Sequence, residues 1–166
     1  MSLVYIHLIL NHMPVVGLVF TALLLVIALA RRSTELTNVA LAFLALIGAL
    51  SIATFLTGEP AEELVEKLAG VSESAMERHE DVALFATIAA AGAGALALAA
   101  IAVFRRRTVP RWVTGASLVV TLATLGLMGF TANTGGQIRH SEIHPVNAAT
   151  GDGMQDDDDA REHRDR

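Results

Sequence analysis

Four stretches without a single Asp, Glu, Lys or Arg dominate this chain: residues 1–30, 36–58, 82–104 and 112–137. About 20 apolar residues make a helix long enough to cross the hydrocarbon core of a bilayer, and each stretch meets that length. A water-soluble bundle of 166 residues would carry a polar stripe on every helix, and these runs have none. They are rich in Ala and Leu and do not alternate, which argues against strands. The sequence therefore predicts an all-α fold: an integral membrane up-down-up-down four-helix bundle.

The connections at 31–35 and 105–111 are short, which makes consecutive spans antiparallel neighbours. The 59–81 connection is longer and has room for a short helix of its own. Pro60 suits a first turn, Glu62 and Glu63 complement its dipole, and Leu64, Val65 and Leu68 form an apolar face that Gly70 and Ser72 end. Ser74-Ala75-Met76-Glu77 reads as a capping box, which starts the third helix near Ala75. Gly92 and Gly94 among alanines suit close helix packing. No internal repeat stands out. Residues 1–147 form the transmembrane domain, and 148–166, with Asp156 to Asp159 in a row, form an acidic tail of disordered character that includes His163.

Basic residues orient the bundle. Arg31, Arg32, Arg105, Arg106, Arg107 and Arg111 flank two connections that hold one acidic residue, Glu35, whereas the 59–81 connection holds eight acidic residues against Lys67 and Arg78. Positive loops stay in the cytoplasm, so both termini are expected outside the plasma (inner) membrane. The first span lacks a preceding basic segment and is too long for a cleavable signal peptide. The absence of cysteine excludes disulfides and thiolate ligands, and the net charge of −5 argues against nucleic acid as a partner. The lipid membrane is the one partner the composition implies; the oligomeric state stays open.

Five of the six histidines then fall in one layer at the outer end. His7 and His12 lie in the outer half of span one, about 140° apart around a helix axis. His7 shares a face with Asn11 and Pro14. Pro14 removes the amide that would bond the Leu10 carbonyl, which predicts a kink beside His12. His79 lies about one turn inside the third helix, on a face with Met76, Ala83 and Ala86 whose small alanines suit either a planar ligand or close packing. His140 and His144 follow span four, one turn apart if a helix resumes after Gly135-Gly136. His12 is the deepest of the five, where an ionisable group is expensive and so functional by default. Imidazoles from three spans suit a haem or a metal ion, a site to which Arg139 would add a counter-ion for a propionate or another anion. His140 and His144 with Glu142 between them offer a Zn or Cu site. A third reading is a cofactor-free structural subunit whose histidines only hydrogen-bond or sense pH. Tyr5 and Trp112 fit interface aromatics at opposite faces.

His7-Leu-Ile-Leu-Asn-His12-Met-Pro14-Val-Val-Gly17 resembles the opening of a bacterial family of small four-span membrane proteins of unknown function. Thr57-Gly58-Glu59-Pro60-Ala61, His79 and Gly135-Gly136-Gln137-Ile138-Arg139-His140 fit the same pattern, so the resemblance covers nearly residues 3–145. Leu8 stands where that family commonly has Pro, and Met13 where it has an aromatic. The resemblance implies a cytochrome-b-like protein binding haem b near the extracytoplasmic face and exchanging electrons with a quinol or an extracytoplasmic redox carrier. Haem c is excluded by the lack of cysteine. Two imidazoles from different helices leave no open position on the iron, which favours electron transfer over oxygen chemistry. The expected axial pair is His12 with His79, and His7 and His140 form a second pair or contact propionate and quinol.

Overall fold

The computed structural model of the chain describes residues 3–60 and 73–137, and every element in them is an α-helix. These are α1 (Leu3–Leu10), α2 (Met13–Arg31), α3 (Thr34–Leu56), α4 (Glu73–Phe104) and α5 (Arg111–Gln137). Together α1 and α2 make one span, and α3, α4 and α5 make the other three, all long and apolar enough to cross a membrane. Large apolar side chains such as Phe20, Leu23, Leu46, Phe85, Leu98, Leu122 and Phe130 point outward from the bundle, as lipid-facing residues do.

The break between α1 and α2 falls where Pro14 predicts it. The Leu10 carbonyl loses its α-helical partner there. The Thr54 hydroxyl of α3, which donates to its own Leu50 carbonyl at 2.9 Å, lies 3.4 Å from the Leu10 carbonyl as a second, longer contact. Arg32 sits in the left-handed region at φ 52° and ends α2, with Ser33 N–H donating to the Ala28 carbonyl. Ser33 then caps α3 by accepting from the Leu36 amide at 3.2 Å. A two-residue reversal of this kind forces α2 and α3 to lie antiparallel.

Neighbours follow a closed ring: α2 against α3, α3 against α4, α4 against α5 and α5 against α2, with α1 continuing the outer end of α2 along α3. The core is uneven. α2 and α3 contribute Leu18, Leu41, Leu44 and Ile47, whereas α4 contributes Ala86, Ala90, Ala93 and Ala97. The small α4 face lets its backbone approach α3 closely: a Cβ on Gly48 would stand 2.7 Å from the Ala90 carbonyl oxygen and one on Gly94 would stand 3.3 Å from the Gly48 Cα. Gly94 thus packs as the sequence suggests, but Gly92 faces outward with nothing within 4 Å of a Cβ. Ala86 is likewise filled by helix packing rather than left as room for a ligand. Buried hydroxyls satisfy themselves on the preceding turn, as Thr21 does on Gly17 and Thr121 on Ser117.

The ring has an internal two-fold likeness that the sequence does not announce. Moving α2 by 72 positions (79 − 7) carries the buried Pro14, Leu18, Thr21, Ala22 and Leu25 onto Ala86, Ala90, Ala93, Gly94 and Ala97, all buried as well. Moving α3 by 77 carries the buried Thr37, Leu44, Ile47 and Ser51 onto Thr114, Thr121, Thr124 and Met128, again all buried. Helices α2 and α4 thus share part of their burial pattern, as do α3 and α5. Chemical identity is low, because α4 is alanine where α2 is leucine, so the repeat lives in position rather than in residue type.

Two expected helix ends differ. Helix α4 already includes Ser74, so the capping-box residues lie inside the helix rather than at its start. Helix α5 runs through Gly135 and Gly136 instead of breaking there. The helix expected after Pro60, the acidic tail, His140, His144 and Arg139 lie outside the described residues.

Candidate histidine site

Two of the five layer histidines, His7 and His79, are held by the same device. The Nδ1–H of His7 donates to the Thr54 carbonyl at 3.1 Å and to Thr57 Oγ1 at 3.3 Å. The Nδ1–H of His79 donates to the Thr131 carbonyl at 3.1 Å and to Thr134 Oγ1 at 3.1 Å. The acceptors form the motif Thr-x-x-Thr-Gly in both places, Thr54-Phe-Leu-Thr57-Gly58 and Thr131-Ala-Asn-Thr134-Gly135.

Helix geometry explains why this motif makes a socket. The Thr54 carbonyl lies in the last turn of α3, where carbonyls run out of α-helical amides, whereas the Thr131 carbonyl lies within α5, which continues to Gln137. A Thr three residues on turns its hydroxyl back to the same carbonyl, as Thr57 does to Thr54 at 2.9 Å and Thr134 to Thr131 at 2.9 Å. Carbonyl and hydroxyl oxygens then present lone pairs side by side to one N–H. The following glycine leaves space for the ring. A Cβ at Gly135 would lie 3.0 Å from His79 Cε1, and one at Gly58 would lie 3.5 Å from His7 Cε1.

These contacts fix the protonation pattern of a neutral ring. A carbonyl oxygen can only accept, so Nδ1 carries the hydrogen and Nε2 keeps an unshared lone pair. Both rings are partly buried. The histidines occupy equivalent places on the two halves, His7 on the α1 end of the first span and His79 on α4.

His12 does not join them. It is the N-cap of α2, its side chain makes no cap hydrogen bond, and it is exposed on the outside of the bundle. The expected primacy of His12 rested on its depth along the span. Depth is correct as a count of residues, and the side chain at that depth is exposed. Asn11, on the face of His7, has its Oδ1 buried without a hydrogen-bond partner among the described residues. Among the described residues no three His, Asp or Glu side chains come together as a metal cage would require. No protein-family model, curated protein or solved structure matches the chain.

Proposed function

We propose that this chain is a membrane-bound electron-transfer protein holding haem b between His7 and His79, with its site near the extracytoplasmic face. One observation carries the reading: each imidazole donates Nδ1–H to a backbone carbonyl. Imidazoles that ligate a metal almost always anchor their other nitrogen in this way, which fixes the tautomer and raises the basicity of the ligating atom. Porphyrin supplies four nitrogens of its own, so two axial imidazoles complete the iron, whereas a tetrahedral Zn site asks for three or four protein ligands. Two histidines with no third acidic or imidazole neighbour among the described residues therefore fit haem better than Zn or Cu. When bound, the haem would take up and release one electron at its iron; the protein would orient it, exclude water with the surrounding apolar helices and set its potential through the anchored imidazoles.

The six arginines at the opposite end of the bundle support an orientation with both termini extracytoplasmic in the plasma membrane. Electrons would then pass to or from a quinol in the bilayer or a carrier outside it. The unpartnered Asn11 Oδ1 favours quinol, whose O–H is a donor of the kind that atom lacks. The likeness of the opening His-x4-His-x-Pro segment to the four-span family agrees with the reading, with His7 replacing His12 as partner of His79, and Arg139 and His140 remaining as candidate contacts to the propionates.

The test is a visible spectrum of full-length protein purified from haem-replete cells. Sharp split bands of low-spin six-coordinate haem in the reduced protein are expected. Stoichiometric Zn or Cu without a Soret band would move the assignment to the His140–His144 metal site, and neither would leave a structural subunit.

A further inference from the structure

We propose that Thr57 and Thr134 are positioning residues: each hydroxyl, together with the carbonyl one turn before it, holds one imidazole as the Nδ1–H tautomer, so that the two halves offer two equivalent Nε2 lone pairs to one ligand. The inference rests on reading His7 and His79 as a pair, but its geometry is testable with no cofactor present.

Three observations bear on it. First, the threonine hydroxyls do not need the histidines. Thr57 Oγ1 is already satisfied by the Ala53 and Thr54 carbonyls at 3.1 and 2.9 Å, and Thr134 Oγ1 by the Thr131 carbonyl at 2.9 Å. The ring is what gains from the contact, because two acceptors fix its position and its plane where one would leave it free to pivot. Second, the same three-atom arrangement of Nδ1, carbonyl oxygen and Oγ1 occurs twice, at His-to-Thr separations of 47 and 50 residues in one half and 52 and 55 in the other. A hydrogen bond made merely to satisfy a stray imidazole has no reason to recur at the equivalent place with the same atoms. Third, each socket ends in a glycine against which the ring rests. Neutral histidine in water prefers the hydrogen on Nε2, so both sites hold the less favoured tautomer. That choice leaves two electron pairs and no donor on the free side. The ligand must offer each ring a hydrogen-bond donor or an electron-pair acceptor, and a Lewis-acidic centre is one that does.

Selective ¹⁵N-histidine labelling of the full chain in lipid nanodiscs, read by long-range ¹H–¹⁵N correlation, reports the tautomer of each ring. His7→Ala and His79→Ala assign the signals. In the wild type without haem, His7 and His79 are expected as Nδ1–H and the exposed His12 as mainly Nε2–H. Thr57→Val should bring Nε2–H signal into His7 alone and Thr134→Val into His79 alone, while Thr57→Ser and Thr134→Ser restore the wild-type pattern. Nε2–H at either ring of the wild type, or tautomers unmoved by both Val variants, would overturn the proposal. Haem added as hemin provides the second reading: loss of an outer contact of this kind lowers affinity roughly 10- to 100-fold, about equally at the two sockets. Sockets that behave as expected in a protein taking up no hemin would uphold the positioning role and retire the haem assignment alone.

Discussion

Thr37 and Thr114 meet across the centre of the bundle, Oγ1 to Oγ1 at 3.3 Å. They are 77 residues apart and occupy the same place in α3 and α5. Thr37 spends its hydrogen on the Ser33 carbonyl at 3.0 Å, so Thr114 is the donor between them. Residues at matching places in α3 and α5 thus meet at the arginine end of the bundle.

His7→Ala and His79→Ala should each abolish low-spin haem, and His12→Ala should leave it in place. Pyridine haemochrome content per chain, with the position and splitting of the reduced bands, checks this. Retention in His7→Ala with loss in His12→Ala would restore the pairing expected from the sequence alone.

Gly135→Ala should disturb the site more than Gly58→Ala. At Gly135 the added methyl presses on a ring held by two hydrogen bonds, 3.0 Å from Cε1, whereas at Gly58 the nearest ring atom stands at ordinary contact distance, 3.5 Å. Overpacking of this type costs about 1–3 kcal/mol. Hemin titration of both variants should show weaker uptake by Gly135→Ala and near wild-type uptake by Gly58→Ala.

Gly48→Ala should lower stability by roughly 1–3 kcal/mol, because its Cβ would meet the Ala90 carbonyl at 2.7 Å and push α3 from α4. Gly92→Ala, with open space around the new methyl, should be neutral or stabilising by up to about 1 kcal/mol through helix propensity. Thermal unfolding of both variants in one detergent gives the comparison, and equal Tm values would refute the close-packing role.

A reporter fused after Asn147 should read as extracytoplasmic, since basic residues crowd the 31–35 and 105–111 connections. A cytoplasmic signal would turn the histidine layer inward and change the class of electron partner.

Charge-free runs made the four spans legible, because lipid tolerates no other pattern over such lengths. Pro14 made the break in the first span legible for the equally local reason that it lacks an amide. The anchoring of His7 on the end of α3 was not, since depth along a span says nothing about which side chain meets a neighbouring helix. The doubled socket was readable in principle as Thr-x-x-Thr-Gly preceded by a distant His. It escaped because its halves repeat at two different shifts, 72 in the first helices and 77 in the second, so no single offset aligns them. Leucine facing alanine at equivalent core positions, as at Leu18 and Ala90, erased what similarity remained.

The break at Asn11-His12 gives the two matched imidazoles unequal footing. His79 rides on a 32-residue helix seated against two neighbours, while His7 rides on an eight-residue one beyond a proline, tied down by its socket and by the Thr54 hydroxyl on the Leu10 carbonyl. On the haem reading, a ligand held between them would have one imidazole seated in the frame of the spans and the other carried on a short helix beyond a break, so its two holders would not be built alike.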